Sequence, residues 1–410
     1  MKSNYKPIGK HIRLVDERNL GLKVTTLLGL SISKEFIPSV ANTIGSDMEN
    51  YKIIRKNQFA CSLMQVRRDK KIPVALLRDF EEAIISQAYP VFEVIDEELL
   101  LPEYLMMWFS RSEFDREACF YAVGGVRGSL EWEDFCNMQL PIPSLEKQKE
   151  IVAEYNTIVN RIKLNEQLNQ KLEETAQAIY KQWFVDFEFP DENGMPYKSS
   201  GGELEYSERL DSDLPVGWSV KDTNEVISVK DGTHDSPKPS AVGYALVTST
   251  HLEPFSVNTD DAYLICEEDY IDVNRRSRVE LYDILFSMIG TVGTISLVLK
   301  EPVDFAIKNV GLFKTSQLKK YVLYLLFYLK SPVIRDYIQT CLLGSTQNYM
   351  TLTELRNIPF VIPDDSVLKE FNKIANPLVD NIRILTLQTY ALGQLKATLL
   401  GKIAQAEATA

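Results

Sequence analysis

Residues 140–155 (LPIPSLEKQKEIVAEY) and 360–375 (FVIPDDSVLKEFNKIA) share one pattern of apolar, proline and charged positions, displaced by 220 residues. The same offset carries Tyr104 and Leu105 onto Tyr324 and Leu325, Trp108 onto Tyr328, Gly124 onto Gly344, and Asn137 onto Asn357. One register fitting some eighty residues without a gap indicates an internal duplication, although few aligned residues are identical. A duplicated chain must bury two similar cores, so its folding problem is two smaller ones.

Each copy ends in a long helical pattern. In the first, Ile151, Tyr155, Ile158, Ile162, Asn165, Asn169, Leu172, Ala176, Ile179 and Trp183 recur at steps of four and three. In the second, the same register holds Phe371, Ala375, Leu378, Ile382, Leu385, Thr389, Leu392, Lys396, Leu399 and Ile403. Such alternation marks a seam between helices, not the single apolar face of a surface helix. Some forty residues at 1.5 Å each give rods of about 60 Å. Two stripes in one chain can bury each other, and antiparallel pairing would place the two globular units at opposite ends. Asn165 and Asn169 would then face the seam and set its register; alternatively they lie just off it, with Leu164 and Leu168 in their place. Pro377 and Gly393 make the second helix the less regular one.

Outside these helices the units read as α+β. Short β-branched and aromatic runs (245–248, 262–265, 283–286, 294–299) alternate with turn residues, and helical segments are expected near 102–118 and 318–339. The stretch 185–215 is rich in Pro, Gly, Ser and Asn, a linker whose Phe187, Phe189 and Tyr197 imply packing. The longest apolar run, YVLYLLFYL (321–329), is far below the ~20 residues of a membrane span. MKSNYKPIGK lacks the apolar core of a secretory signal. Five scattered cysteines without a C-x-x-C pair argue against structural disulfides and a cysteine zinc site, and suit a cytoplasmic location.

The net charge of −12 taken alone speaks against nucleic acid. Its distribution reverses that. Residues 1–78 carry 15 basic and 6 acidic side chains, whereas residues 79–140 carry 3 and 14. Screening confines charge effects to about 10 Å, so one basic face suffices for phosphate contact.

LNQKLEETAQAIYKQWFVDFEFP (168–190), NGMPYKSSGGE (193–203) and LPVGW (214–218) resemble the central region of type I restriction–modification specificity subunits. The resemblance covers essentially the whole chain. DGTHDSPKP (231–239), YDILFSMIGTVGT (282–294), IKNVGLF (307–313) and GSTQNYMTLTELRNIPFVIP (344–363) resemble recognition-domain motifs. SISKEFIPSVANTIG (31–45) and QFACSLMQVRRDKKIPVALL (58–77) resemble another subtype, implying two different half-sites. The implied fold is α+β, with two α/β target-recognition domains held apart by a pair of long antiparallel helices. The boundaries are domain 1 over 1–143, helix over 144–187, linker over 188–214, domain 2 over 215–363 and helix over 364–406. In the first unit QVRR (65–68) stands where the second has GTVG (290–293), so a glycine-dependent contact does not transfer.

The expected DNA contacts in the first unit are Arg55, Lys56, Arg67, Arg68, Lys70, Lys71 and Arg78, long cations placed on turns flanking strands where they reach phosphates or guanine edges. Arg127 lies among glycines that admit close backbone approach. Its partner loop supplies Ser345, Thr346, Gln347 and Asn348, with Gln and Asn suited to adenine edges. In the second unit the candidates are Lys230, His234, Lys238, Arg275, Arg276 and Arg278. His234 between acids has no paired ligand spacing, so no metal site is expected. Each cation has a bland alternative as part of a solvated face.

Catalytic signatures are missing. There is no Pro-Pro dipeptide of an amine-methylating loop, no phosphate-binding GxxxxGK[ST] loop and no Glu-x-Lys of a metal nuclease. Tyr180, Phe184 and Val185 beside the first seam, with Trp183 at its end, suggest an exposed docking face made by Tyr180, Trp183 and Phe184. The resemblance implies two methyltransferase subunits there, restriction (nuclease–translocase) subunits beyond them, and double-stranded DNA as ligand. S-adenosylmethionine and ATP would belong to the partners; the chain itself would hold no cofactor and be no enzyme. The rod's length implies half-sites about one to two helical turns apart. The competing reading is a coiled-coil scaffold without DNA contact, which suits the negative charge.

Overall fold

The computed structural model describes residues 5–39, 47–124, 128–343 and 349–403. The chain divides into two compact units, 1–162 with 391–410, and 163–390.

In unit 1 a four-stranded antiparallel sheet runs in the order Ile12–Val15, Val91–Val94, Phe59–Cys61, Val74–Leu76. The last two strands are joined through a short helix, α1 (Val66–Asp69). Then come α2 (Pro102–Phe109), α3 (Ser112–Tyr121), α4 (Trp132–Asn137) and the long α5 (Leu145–Phe184). Pro102 opens α2, where its missing N–H has no helical acceptor to lose. Phe59 and Phe92 stack at 5.0 Å between centroids, and Phe109, Phe114 and Phe135 close the core around them.

Unit 2 repeats the plan. Its sheet runs Val229–Asp231, Val310–Phe313, Ile284–Ser287, Ile295–Leu297, the same antiparallel order. Its helices are α6 (Thr223–Val226), α7 (Glu267–Ser277), α8 (Val322–Leu329), α9 (Pro332–Leu343), α10 (Leu352–Arg356) and α11 (Asp365–Ile403). Helices α2 to α5 start at 102, 112, 132 and 145; α8 to α11 start at 322, 332, 352 and 365. The offset of 220 therefore survives helix by helix, and the strands of the two four-stranded sheets follow it to within five residues. The apolar run 321–329 is a core helix: all eight residues of α8 are buried. The helical segments expected near 102–118 and 318–339 each contain two α-helices, separated at Ser110–Arg111 and Lys330–Ser331. Among the described residues no helix is long and apolar enough to cross a membrane.

The seam pattern is realised within each unit. In unit 1, Ile151, Leu400 and Ile403 share the core, and Lys396 lies 5.7 Å over the Tyr155 ring. In unit 2, Asn165 donates to Gln388 Oε1 (3.0 Å) and Thr389 Oγ1 (3.3 Å), and Asn169 to Thr386 Oγ1 (3.2 Å). Partners on α11 descend as positions on α5 rise, so the helices run antiparallel. All twenty seam positions are buried or half-buried, whereas Leu164 and Leu168 are exposed. The asparagines, not the leucines, occupy the seam. α11 passes through Pro377 and Gly393 without a break, because packing of its buried stripe outweighs local propensity.

The stretch after α5 is tied down by its aromatics. Phe189 stacks on Tyr197 (4.6 Å) and Trp218 (5.4 Å), and Leu204–Ser207 pairs with Ser212–Pro215 as a hairpin.

Candidate nucleic-acid interface

The basic residues of unit 1 fall into two groups with different chemistry. Arg55, at the end of strand Lys52–Arg55, is held by Glu17 (2.7 Å) and Glu82 (2.6 Å). Lys56 pairs with Glu81 at 2.6 Å and Arg78 with Glu103 at 3.2 Å. These three cations arrive already neutralised by carboxylates. Each must break a pair before meeting a phosphate, which lowers its net contribution.

The second group is the α1 turn. Arg67 and Arg68 lie on that helix rather than on a turn as expected, because Gln65 takes a left-handed conformation (φ 64°) that starts it. Gly290 takes the same left-handed conformation (φ 79°) in the equivalent connection of unit 2, where a turn and not a helix follows. A side chain in that region costs roughly 1–2 kcal/mol, which the surrounding packing must offset. Arg68 holds only its neighbour Asp69, whose carboxyl is drawn below the usual range by that hydrogen bond. Lys70 and Lys71 are exposed and form no ion pair among the described residues.

The α1 turn is anchored from below. Asp115 on α3 accepts from the Ile72 backbone N–H (3.1 Å) and from Lys34 Nζ (2.8 Å), and both side chains are mostly buried. Burial pulls the Lys34 ammonium down from its ordinary value, against the pull of Asp115. Cys119 Sγ meets Val66 O at 3.4 Å; burial raises its thiol, with Asp115 adding to the effect. Arg67 reaches the glycine loop, its Nη1 donating to Gly124 O at 3.4 Å. A Cβ on Gly128 would lie 2.8 Å from Arg67 Cβ, so glycine is required for this approach. Arg127, in that loop, lies outside the described residues.

In unit 2 the structure brings two expected contacts onto one carboxylate. Asp231, 2% exposed, accepts from His234 Nε2 (2.9 Å) and from Arg276 at the end of α7. His234 Nδ1 also meets Asn309 Oδ1 at 2.9 Å. Gly232 permits the close packing: a Cβ there would meet Ile307 O at 2.4 Å. The turn 231–235 is thereby locked to 307–310, with Thr233 N donating to Ile307 O and Asn309 N to Thr233 O. Lys308, which bonds Ser236 on this face, was not singled out from the sequence, although its string IKNVGLF was. Lys230 is half-buried, and Lys238 and Arg278 are exposed. Arg275 pairs with Asp272 at 3.1 Å. Ser345, Thr346, Gln347 and Asn348 lie outside the described residues.

The expected docking aromatics are a correction. Tyr180, Trp183 and Phe184 are 3%, 7% and 7% exposed and belong to the core of unit 2. Phe184 meets Tyr324 at 4.8 Å and Phe371 at 5.0 Å, both edge-on, and Trp183 lies 6.1 Å from Phe371. The last turns of α5 nucleate a globular core instead of presenting a free face, because α8 and the start of α11 pack on them.

A duplicated α+β unit, each copy followed by a long helix of one antiparallel pair, is the class this geometry defines. Residues 48–174 match the family model for the type I restriction modification DNA specificity domain. The chain is 24% identical over 321 residues to the MjaIX type I specificity subunit of Methanocaldococcus jannaschii, covering 76% of this chain and 70% of that one. It is 21% identical over 384 residues to the HindI specificity subunit of Haemophilus influenzae, covering 80% and 82%. Its fold matches the S subunit of a type I restriction–modification system from M. genitalium, with TM-score 0.54, 13% identity and coverage of 97% and 95%. Over residues 48–174 the chain is similar to the DNA specificity domain of type I restriction–modification systems, and it resembles their specificity subunits along most of its length.

Proposed function

We propose that this chain is the non-catalytic reader of a type I restriction–modification complex, each unit recognising one half of a bipartite, asymmetric duplex site. The observation that carries this reading is the pair of units with one strand order and one helix set but different surface turns: QVRRDKK (65–71) in one, GTVG (290–293) in the other. A common scaffold with divergent turns suits two readers of different sequence. Candidate contacts are Arg67, Arg68, Lys70 and Lys71 in unit 1, and Lys230, His234, Lys238 and Arg276 in unit 2. Two methyltransferase subunits and restriction subunits would dock on the chain in the cytoplasm and bring S-adenosylmethionine and ATP with them.

Sequencing methylated sites in cells carrying this gene and its methyltransferase should yield one split motif. Exchanging residues 1–143 for those of a relative should change one half of the motif only. A continuous motif, or a change in both halves, would overturn the reading.

The engagement of Arg55, Lys56, Arg78 and Arg275 by carboxylates favours a second reading, a protein scaffold without DNA contact. Duplex retention by the assembled complex that is insensitive to salt would support it.

A further inference from the structure

We propose that Phe120 is an aromatic wedge that inserts between base pairs of the half-site read by unit 1. The proposal rests on the DNA-reading function above and assigns one residue a role within it.

Phe120, the penultimate residue of α3, has 80% of its surface exposed, the highest of the large apolar side chains described. Tyr121 follows at 42%, its ring 5.4 Å from that of Phe120 and nearly perpendicular. Met64, at 47%, is exposed just before α1. An apolar tip of this kind, in a chain that buries so many of its rings, awaits an occupant.

Charge identifies that occupant. The tip adjoins the α1 turn, joined to it through the contact of Cys119 with Val66 O. Arg67, Arg68, Lys70 and Lys71 on that turn are exposed. Asp69 there is occupied by Arg68, and Glu117 is half-buried. A ring projecting from a cationic rim suits a polyanion with stacked planar faces, which is duplex DNA. Proteins that bend DNA insert phenylalanine between base steps in this way. Enzymes that modify a base must take it out of the stack, so a neighbouring unstacked step would assist a methyltransferase partner.

The wedge is rigidly mounted. Asp115, one helical turn earlier on α3, fixes the α1 turn through Ile72 and Lys34. The position 220 residues on is Thr340, so unit 2 lacks the ring and no wedge should enter its half-site.

The test uses the full chain assembled with its methyltransferase and a duplex bearing its motif, with 2-aminopurine placed in turn at each position of both halves. Beside any base that the methyltransferase subunits extrude in either half, fluorescence should rise at one further step in the unit 1 half and at no such step in the other. Phe120→Ala should abolish the rise and weaken binding about tenfold, and Phe120→Trp should restore both. The salt dependence of binding should not change, because no charge is removed. A duplex that is bound with no rise that depends on Phe120 overturns the wedge and leaves the reading function standing. So does a Phe120→Ala protein that binds like the parent, or one that loses its methyltransferase but not its DNA. An assembly that binds no duplex overturns both.

Discussion

The side-chain amide of Asn165 on α5 donates to Thr389 Oγ1 on α11 at 3.3 Å, at a position with no exposure to solvent. Its Oδ1 has no hydrogen-bond partner among the described residues. A buried amide half-satisfied in this way weakens the seam but penalises every other register. Asn165→Leu should therefore raise stability by about 1–2 kcal/mol, read as a higher denaturant midpoint. The methylated motif of the variant should acquire a second spacer length. A variant that is less stable, with one spacer, would contradict the register role.

Phe184 behaves as a core residue, not as an interface residue. Phe184→Ala removes contacts to Tyr324, Phe371 and Trp218 and should cost about 3–5 kcal/mol in the lone chain, measured by denaturant unfolding. Unchanged stability of the chain, with loss of methyltransferase binding alone, would restore the docking face expected from sequence.

Free and paired cations should differ in their salt signatures. Lys70→Ala and Lys71→Ala should each lower the slope of log affinity against log salt by about one. Lys56→Ala should change it less, because Glu81 already compensates that charge. Equal effects at Lys56 and Lys70 would mean that ion pairing does not sort the contacts.

Unit 2 should show a specific acid sensitivity. Lys314 Nζ holds Glu280 at 2.7 Å, and this hydrogen bond draws the Glu280 carboxyl below its ordinary value of 4.5. A depressed carboxylate contributes stability that is present above the unfolded value and lost as pH falls through the folded one. The half-exposed position of Glu280 keeps the effect modest. Unfolding midpoints should thus fall below about pH 4.5, and Glu280→Gln should flatten that part of the profile. An unaltered profile in the variant would assign the acid sensitivity to other groups.

How much of this was legible follows from the range of each signal. The 220-residue offset, the seam positions and the core character of 321–329 are periodic patterns along the chain, and they reappear as element starts and buried faces. The shared strand order was not legible, because its strands are three or four residues long and pair across long separations. The exposure of Phe120 follows from the register of α3: Phe114, Asp115 and Ala118 are buried on one face, and two positions past Ala118 is about 200° round the helix, a register that only the packing of α3 fixes.

The sequence by itself determined a doubled chain with two long helices and a basic first segment, since repeats, heptads and charge runs are properties of local order. Tertiary structure decided which of those charges remain free and which aromatics are covered. Glu17 and Glu82 reach Arg55 from 38 and 27 residues away, and Tyr324 and Phe371 cover Phe184 from much farther. Pairing and burial depend on what folding brings alongside a residue, and that neighbour is not written next to it in the chain.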